Sequence, residues 1–149
     1  MSVTAEDRIG ISDLYARNSW AADVGDVEAY VSTFAADAAL DLAKRHQGAA
    51  AIRAFAEDAR KRDPWLPYSQ RLVSQMVVDG DGAKATVRSY LTRTHRLPGR
   101  IRNNCLVVWT GYCTDTVVKK DGKWLFQEKI ERAWEGPVVE KISKARAGS

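Results

Sequence analysis

Residues 83–96 read Ala-Lys-Ala-Thr-Val-Arg-Ser-Tyr-Leu-Thr-Arg-Thr-His-Arg, and their alternation decides the fold class. Ala85, Val87, Ser89 and Leu91 recur every second residue, the period of a strand covered on one side, while Thr86, Arg88, Tyr90 and Thr92 fall on the other. Carried forward, the same parity sets Arg93 and His95 on the covered face as the strand ends. A greasy row that finishes in a guanidinium and an imidazole predicts a wall with ionisable groups at its rim.

Turn residues flank this stretch: Asp79-Gly80-Asp81-Gly82 before it, Leu97-Pro98-Gly99 after it, and Lys120-Asp121-Gly122 further on. They divide the second half of the chain into four alternating segments, about 68–79, 83–96, 102–119 and 123–134, which predict an antiparallel meander. In the third, Cys105, Val107, Trp109, Gly111, Cys113 and Asp115 share a face. In the last, Trp124, Phe126, Ile130 and Trp134 share one with Glu128 and Arg132.

The first half has a different period. Ile11, Leu14, Tyr15, Asn18 and Ala22 lie on one side of a helix over about Thr4 to Ala22, so Asn18 interrupts an apolar stripe. A second short helix is expected over Val27 to Phe34 with Asp26 as N-cap, then a strand Ala38 to Leu42 and a third helix Gly48 to Arg60. The proline-bounded loop Asp63-Pro64-Trp65-Leu66-Pro67 ends the helical part. Helices followed by a long meander predict an α+β domain whose curved antiparallel sheet wraps about three N-terminal helices. One domain over 1–149 is expected, with about 136–149 as a C-terminal extension.

Composition narrows the function. Hydrophobic residues make up 45% of the 149, enough for a core and against disorder. Met1 to Gly10 carries Glu6, Asp7 and Arg8 where a secretory leader is apolar, and no run approaches a membrane span, so a cytoplasmic protein without membrane partners is expected. The net charge of +4 hides an asymmetry: residues 1–60 hold six basic and ten acidic side chains, residues 61–118 nine and four. Arg88, Arg93, Arg96, Arg100 and Arg102 alternate in facing across a hairpin instead of forming one stripe, which argues against a nucleic-acid partner. Cys105 and Cys113, eight apart in one strand, lie about 26 Å apart at about 3.3 Å per residue and stay reduced. With only His46 and His95, and no glycine-rich phosphate loop, no metal or other cofactor is expected.

An inner face mixing Trp and Phe with Arg, His and Glu suits a hydrophobic small molecule, because apolar walls give affinity and sparse polar groups give orientation. Structural readings compete: Arg132 and Glu128 could pair at the rim, Asn18 could satisfy a neighbouring backbone group, and Asp23 could serve as a turn residue.

The ordered set Asp-x-Gly-Asp at 23–26, Phe34-Ala35-Ala36-Asp37-Ala38, Gly48-x-x-x-Ile52, Gln70-Arg71-Leu72-Val73-Ser74 and Asp121-Gly122-Lys123-Trp124-x-Phe126 resembles the SnoaL-like branch of the NTF2-like superfamily over about residues 5 to 134. Within it the chain looks most like scytalone dehydratase and hexachlorocyclohexane dehydrochlorinase. The resemblance implies a cone-shaped fold with an internal cavity, and an aspartate paired with a proton-accepting histidine. Asp23 matches the aspartate, but Arg71 stands in the histidine's place, and a guanidinium cannot act as the base. His95 matches a second cavity histidine and could carry the acid–base duty, with Arg71 stabilising an oxyanion.

The candidate site is therefore Asp23, Arg71 and His95 for catalysis, with Tyr15, Asn18, Trp20, Trp65, Arg93, Trp109, Phe126 and Arg132 around the substrate. The activity implied is a cofactor-independent lyase, a dehydratase, eliminase or formaldehyde-releasing enzyme, acting on an aromatic or cyclic molecule. A ketosteroid-isomerase-like isomerase, a non-catalytic binding or assembly module, and the small subunit of an aromatic-ring hydroxylase are the alternatives. Assembly of like chains through the outer sheet is expected from the family.

Overall fold

The computed structural model describes residues 2–97 and 104–135. Pro98, Gly99, Arg100 and Arg102 of the expected hairpin, and the expected extension at 136–149, lie outside the described residues. The elements run α1 (Ala5–Val24), α2 (Val27–Ser32), β1 (Phe34–Asp41), β2 (Arg45–Gln47), α3 (Ala49–Arg62), a 3-10 turn (Leu66–Tyr68), β3 (Ser69–Gly80), β4 (Lys84–Arg96), β5 (Cys105–Lys120) and β6 (Lys123–Ala133). The sheet order is β2-β1-β6-β5-β4-β3. Three helices pack on one face of this curved, unclosed sheet, giving the α+β architecture.

Three details differ from the expectation. The β1–β6 junction is parallel, so the sheet is mixed. The strand β1 opens at Phe34, which the helical period had assigned to α2, because Thr33 already caps that helix with its hydroxyl on the Tyr30 carbonyl. The three-residue β2 was not foreseen.

Local chemistry sets the ends of α1. Thr4 Oγ1 accepts from the Asp7 amide while the Asp7 carboxylate accepts from the Thr4 amide, a reciprocal cap that satisfies two orphan donors. Asp7 also accepts from Lys119 Nζ at 3.0 Å and Trp124 Nε1 at 3.3 Å, which fastens the helix start to the β5–β6 hairpin. At the other end Gly25 adopts φ 71°, a left-handed cap that favours glycine. The helix thus stops one turn past Ala21, and Asp23 faces the sheet from its last turn.

The core lies between α1 and the concave face: Ile11, Leu14, Leu40, Ile52, Val87, Leu91, Val117 and Phe126 are essentially inaccessible. No helix among the described residues is long and apolar enough to cross a membrane.

The ladder is interrupted by bulges, and these govern which side chains face in. In β6, Phe126 pairs with Val117 but Glu128 pairs with Thr116, so Gln127 is an extra residue. Similar shifts fall between Ser74 and Val77 of β3 and opposite Arg93 and Thr94 of β4. An inserted residue reverses the parity of everything beyond it.

Candidate functional site

The inner row of β4 runs as read, with Ala85, Val87, Ser89 and Leu91 buried and Arg93 and His95 following, both partly buried. Arg93 pairs across the ladder with Arg71 of β3, so two guanidinium-bearing residues stand side by side on the concave face. There the ends of α1, α2 and α3 converge over the sheet and leave a cavity of about 240 Å³. Ala21, Ala22, Tyr30, Phe55 and Leu66 supply its apolar walls, and Arg71 and Arg93 its charge. At roughly 30 Å³ per water, the space equals about eight waters, room for a small ring system.

Asp23 fixes one of the two arginines. Arg71 Nη1 donates to Asp23 Oδ1 at 2.7 Å and the Arg71 amide donates to Asp23 Oδ2 at 3.0 Å, both side chains being about four-fifths buried. The amide fixes the carboxylate, and the carboxylate in turn takes one charge-assisted bond from the guanidinium, which holds it in place. Arg93 has no ion-pair partner among the described residues. Burial, and then the neighbouring Arg71, lower its pKa, although a guanidinium retains its proton in any case. Tyr30 is buried in the same wall, and burial pushes its phenol up to about 12, so it is a donor at neutral pH.

His95 sits at the rim two residues beyond Arg93, its ring stacked on Trp65 with centroids 5.0 Å apart. Trp65 is 41% exposed and forms an outer lip. Trp109 folds over Gly111: a Cβ on Gly111 would come within 2.1 Å of its ring, so the absent side chain makes room for the indole on the concave face.

Other expected site residues fall elsewhere. Trp20 is 72% exposed, because the buried stripe of α1 is Ile11, Leu14, Tyr15, Asn18 and Ala21 and position 20 lies opposite it. Arg132 points outward to Asp41, with Nη2 at 2.8 Å from Oδ1, since the Gln127 bulge reverses the second half of β6. Glu128, Ile130 and Trp134 turn outward with it; Glu128 takes Arg45 at 2.7 Å, not Arg132, and Trp134 packs edge-on against Tyr90 and Tyr112. Tyr15 and Asn18 do point inward, but their polar groups are engaged. Asn18 Nδ2 donates to Thr33 Oγ1 at 2.9 Å, and the Tyr15 hydroxyl donates to Asp115 Oδ2 at 2.5 Å. Phe126 is fully buried between Tyr15 and Phe34, a core residue beneath the cavity.

The same bulge brings inward a set that sequence reasoning missed. Lys129 pairs into the core beside Asp115, Nζ at 3.5 Å from Oδ2, and stands 5.0 Å from the Phe126 ring centre and 5.3 Å from that of Tyr15. Its ammonium is also 3.6 Å from Glu131 Oε1. Burial opposes the charge on Lys129, but the carboxylates of Asp115 and Glu131 outweigh it and raise its pKa. Burial pushes Asp115 up as well, against Lys129, the Tyr15 hydroxyl and the Ile130 amide, which donates at 2.8 Å. With a cation and two donors on one carboxylate, the pair is an ion pair. Burial raises Cys113 beside it to about 12, so its thiol is uncharged. The signal was present in Asp115, a lone acid in a buried row, which required a cation from a neighbouring strand.

No group of His, Cys, Asp and Glu suited to a metal ion occurs among the described residues. A family model for the SnoaL-like domain matches residues 3–129. Among solved structures, the chain is 28% identical to a cystatin-like-fold protein of unknown function from Nostoc punctiforme, with TM-score 0.78 over 92% of this chain and 96% of that one. It is 21% identical to an NTF2-like protein from Novosphingobium aromaticivorans, TM-score 0.78, covering 92% and 88% of the two chains. A protein from the same organism provisionally named scytalone dehydratase gives 21% identity and TM-score 0.72 over 87% and 85%. No match is found among curated proteins.

Proposed function

The chain belongs to the SnoaL-like family, and from that premise we propose that it is a cofactor-independent lyase acting by proton transfer on an aromatic or cyclic small molecule that carries a carbonyl or phenol oxygen. The observation that carries this reading is the Asp23–Arg71 pair beside Arg93 at an apolar cavity. One cation held by Asp23, with a second beside it at an apolar cavity, favours a transition state in which negative charge gathers on one oxygen. Removal of a proton from the carbon next to a carbonyl generates that charge. Loss of a hydroxyl from the next carbon, or of formaldehyde from a hydroxymethyl group, completes a dehydration or a retro-aldol cleavage, and return of the proton elsewhere makes an isomerisation.

Arg71 takes the part of oxyanion holder, Asp23 positions it, and Tyr30 donates a hydrogen bond. His95 stands at the rim, its ring stacked on Trp65. The likeness to a protein named for a dehydratase supports this class and adds nothing about substrate. A hydrophobic small molecule is the partner, and self-association through the outer sheet, where Leu72, Val77, Tyr90 and Val108 are exposed, is part of the same reading. A second reading, binding without turnover, is favoured by Arg71 in the histidine position.

The test is a panel of aromatic ketones and phenols bearing a β-hydroxyl or hydroxymethyl group, incubated with wild type, Asp23→Asn, Arg71→Ala and His95→Ala and followed by mass spectrometry. Loss of the mass of water or formaldehyde, slowed at least about 100-fold by Arg71→Ala, supports the lyase. Saturable binding with no mass change assigns a binding protein instead.

A further inference from the structure

We infer that Glu131 is the proton acceptor of this site, held toward the cavity by Lys129. The inference rests on the acid–base reading above and names the group that reading requires.

The geometry begins at the β6 bulge. Glu131 pairs with Cys113, which is fully buried on the concave face, and paired residues of an antiparallel ladder project to the same side. Glu131 therefore faces the helices and not the outer surface. Its side chain is nevertheless 20% exposed, whereas Lys129 beside it is 5% exposed and Asp115 not at all. The charge of Glu131 acts on Tyr30 and Arg93, both of which line the cavity.

Its surroundings suit a base. Among the described residues the one cation within ion-pair distance is Lys129 Nζ at 3.6 Å, longer than a hydrogen bond, and none donates a hydrogen bond to the carboxylate. Its lone pairs are thus uncommitted. Asp115, the other inward acid, is occupied by Tyr15, Ile130 N–H and Lys129, and Asp23 by Arg71. Lys129 in turn is immobilised among Asp115 and the rings of Tyr15 and Phe126, so it fixes the position of Glu131 without reaching the cavity itself. Lys129 is a positioning residue. His95, stacked on Trp65, remains at the rim.

On a β-hydroxy ketone the step balances without any co-reactant. The Glu131 carboxylate takes the proton from the carbon beside the carbonyl, and the C–H electron pair forms the enolate, whose oxygen faces Arg71 and Arg93. The enolate re-forms the carbonyl and expels the β-hydroxyl, which leaves as water with the proton that Glu131 returns. The products are the enone and one water, and Glu131 is again ionised.

Two measurements test the assignment on the full chain. The first follows entry of deuterium from heavy water into the carbon beside the carbonyl of α-tetralone by NMR; the second follows dehydration of a β-hydroxy tetralone across pH. Glu131→Gln is expected to slow both by about 100-fold or more with KM changed less than about threefold. Glu131→Asp is expected to retain part of the activity. Thermal melting of both variants checks that the fold persists. If wild type exchanges and dehydrates and Glu131→Gln does so within about threefold of it, the inference is overturned while the lyase reading stands. If wild type binds both ketones yet catalyses neither step, the lyase reading fails and this assignment with it.

Discussion

Replacing Lys129 with Met leaves the Asp115 carboxylate fully buried with no cation, and the consequence can be worked from the contacts. The ammonium lies 3.5 Å from Asp115 and 3.6 Å from Glu131 and is itself 5% exposed. Breaking a buried pair from one side costs about 3–5 kcal/mol, because the remaining charge has neither water nor partner. For a chain of this size that is a fall in melting temperature of about 6–20 °C. The pH dependence has a definite sign. Without Lys129, burial holds the folded pKa of Asp115 above its unfolded value, so the penalty is complete above the folded pKa and vanishes below about pH 4, where the acid is protonated in both states. The double variant Lys129→Met, Asp115→Asn is expected to recover about half the loss at neutral pH, since an amide still bonds to Ile130 N–H. Chemical denaturation of the three proteins between pH 4 and pH 8 is the assay. A Lys129→Met cost below about 1 kcal/mol, or one independent of pH, refutes the buried ion pair.

Other expectations follow from single contacts. Gly111→Ala places a Cβ 2.1 Å from the Trp109 ring and 2.3 Å from the Arg132 carbonyl oxygen, and is expected to cost about 1–3 kcal/mol, measurable by denaturation with a blue or red shift of indole fluorescence. Asp23→Ala removes both hydrogen bonds to Arg71 and is expected to cost about 1.5–3 kcal/mol and to weaken binding of phenolate ligands by calorimetry, with Asp23→Asn intermediate. Stability should fall in alkali: Cys113 and Tyr30 have folded pKa values raised to about 12, so the unfolded chain ionises first and their contribution declines as pH rises above about 9. Denaturant midpoints from pH 8 to pH 11 that stay constant contradict those burials.

Much of this molecule is legible in its residues, and the failures in the last strand share one cause. The stripe Ile11, Leu14, Tyr15 and Asn18 and the alternation from Ala85 to Leu91 each reflect a regular backbone period, and both are observed. The facing of Arg93 follows from the same parity. Beyond Phe126 the alternation breaks, because a period of two presumes an unbroken ladder and no glycine or proline at Gln127 announces its bulge. That one residue sends Arg132 to the surface and brings Lys129 and Glu131 inside. The Gln75 bulge in β3 is equally silent, a non-glycine at φ 52°. Trp20 failed differently: large apolar side chains are not always covered, and only the phase of α1 reveals that position 20 faces away. Tyr15 and Asn18 were correctly faced, yet a face does not tell whether a polar group already has its partner.

The central claim is that Arg71, fixed by Asp23, stabilises negative charge created by proton removal inside the apolar cavity. The most direct measurement is the rate of deuterium entry into α-tetralone catalysed by wild type and by Arg71→Ala under identical conditions. The account predicts exchange well above the buffer rate for wild type and a loss of at least about 100-fold for Arg71→Ala. Wild-type exchange no faster than buffer, or equal exchange by the two proteins, contradicts it.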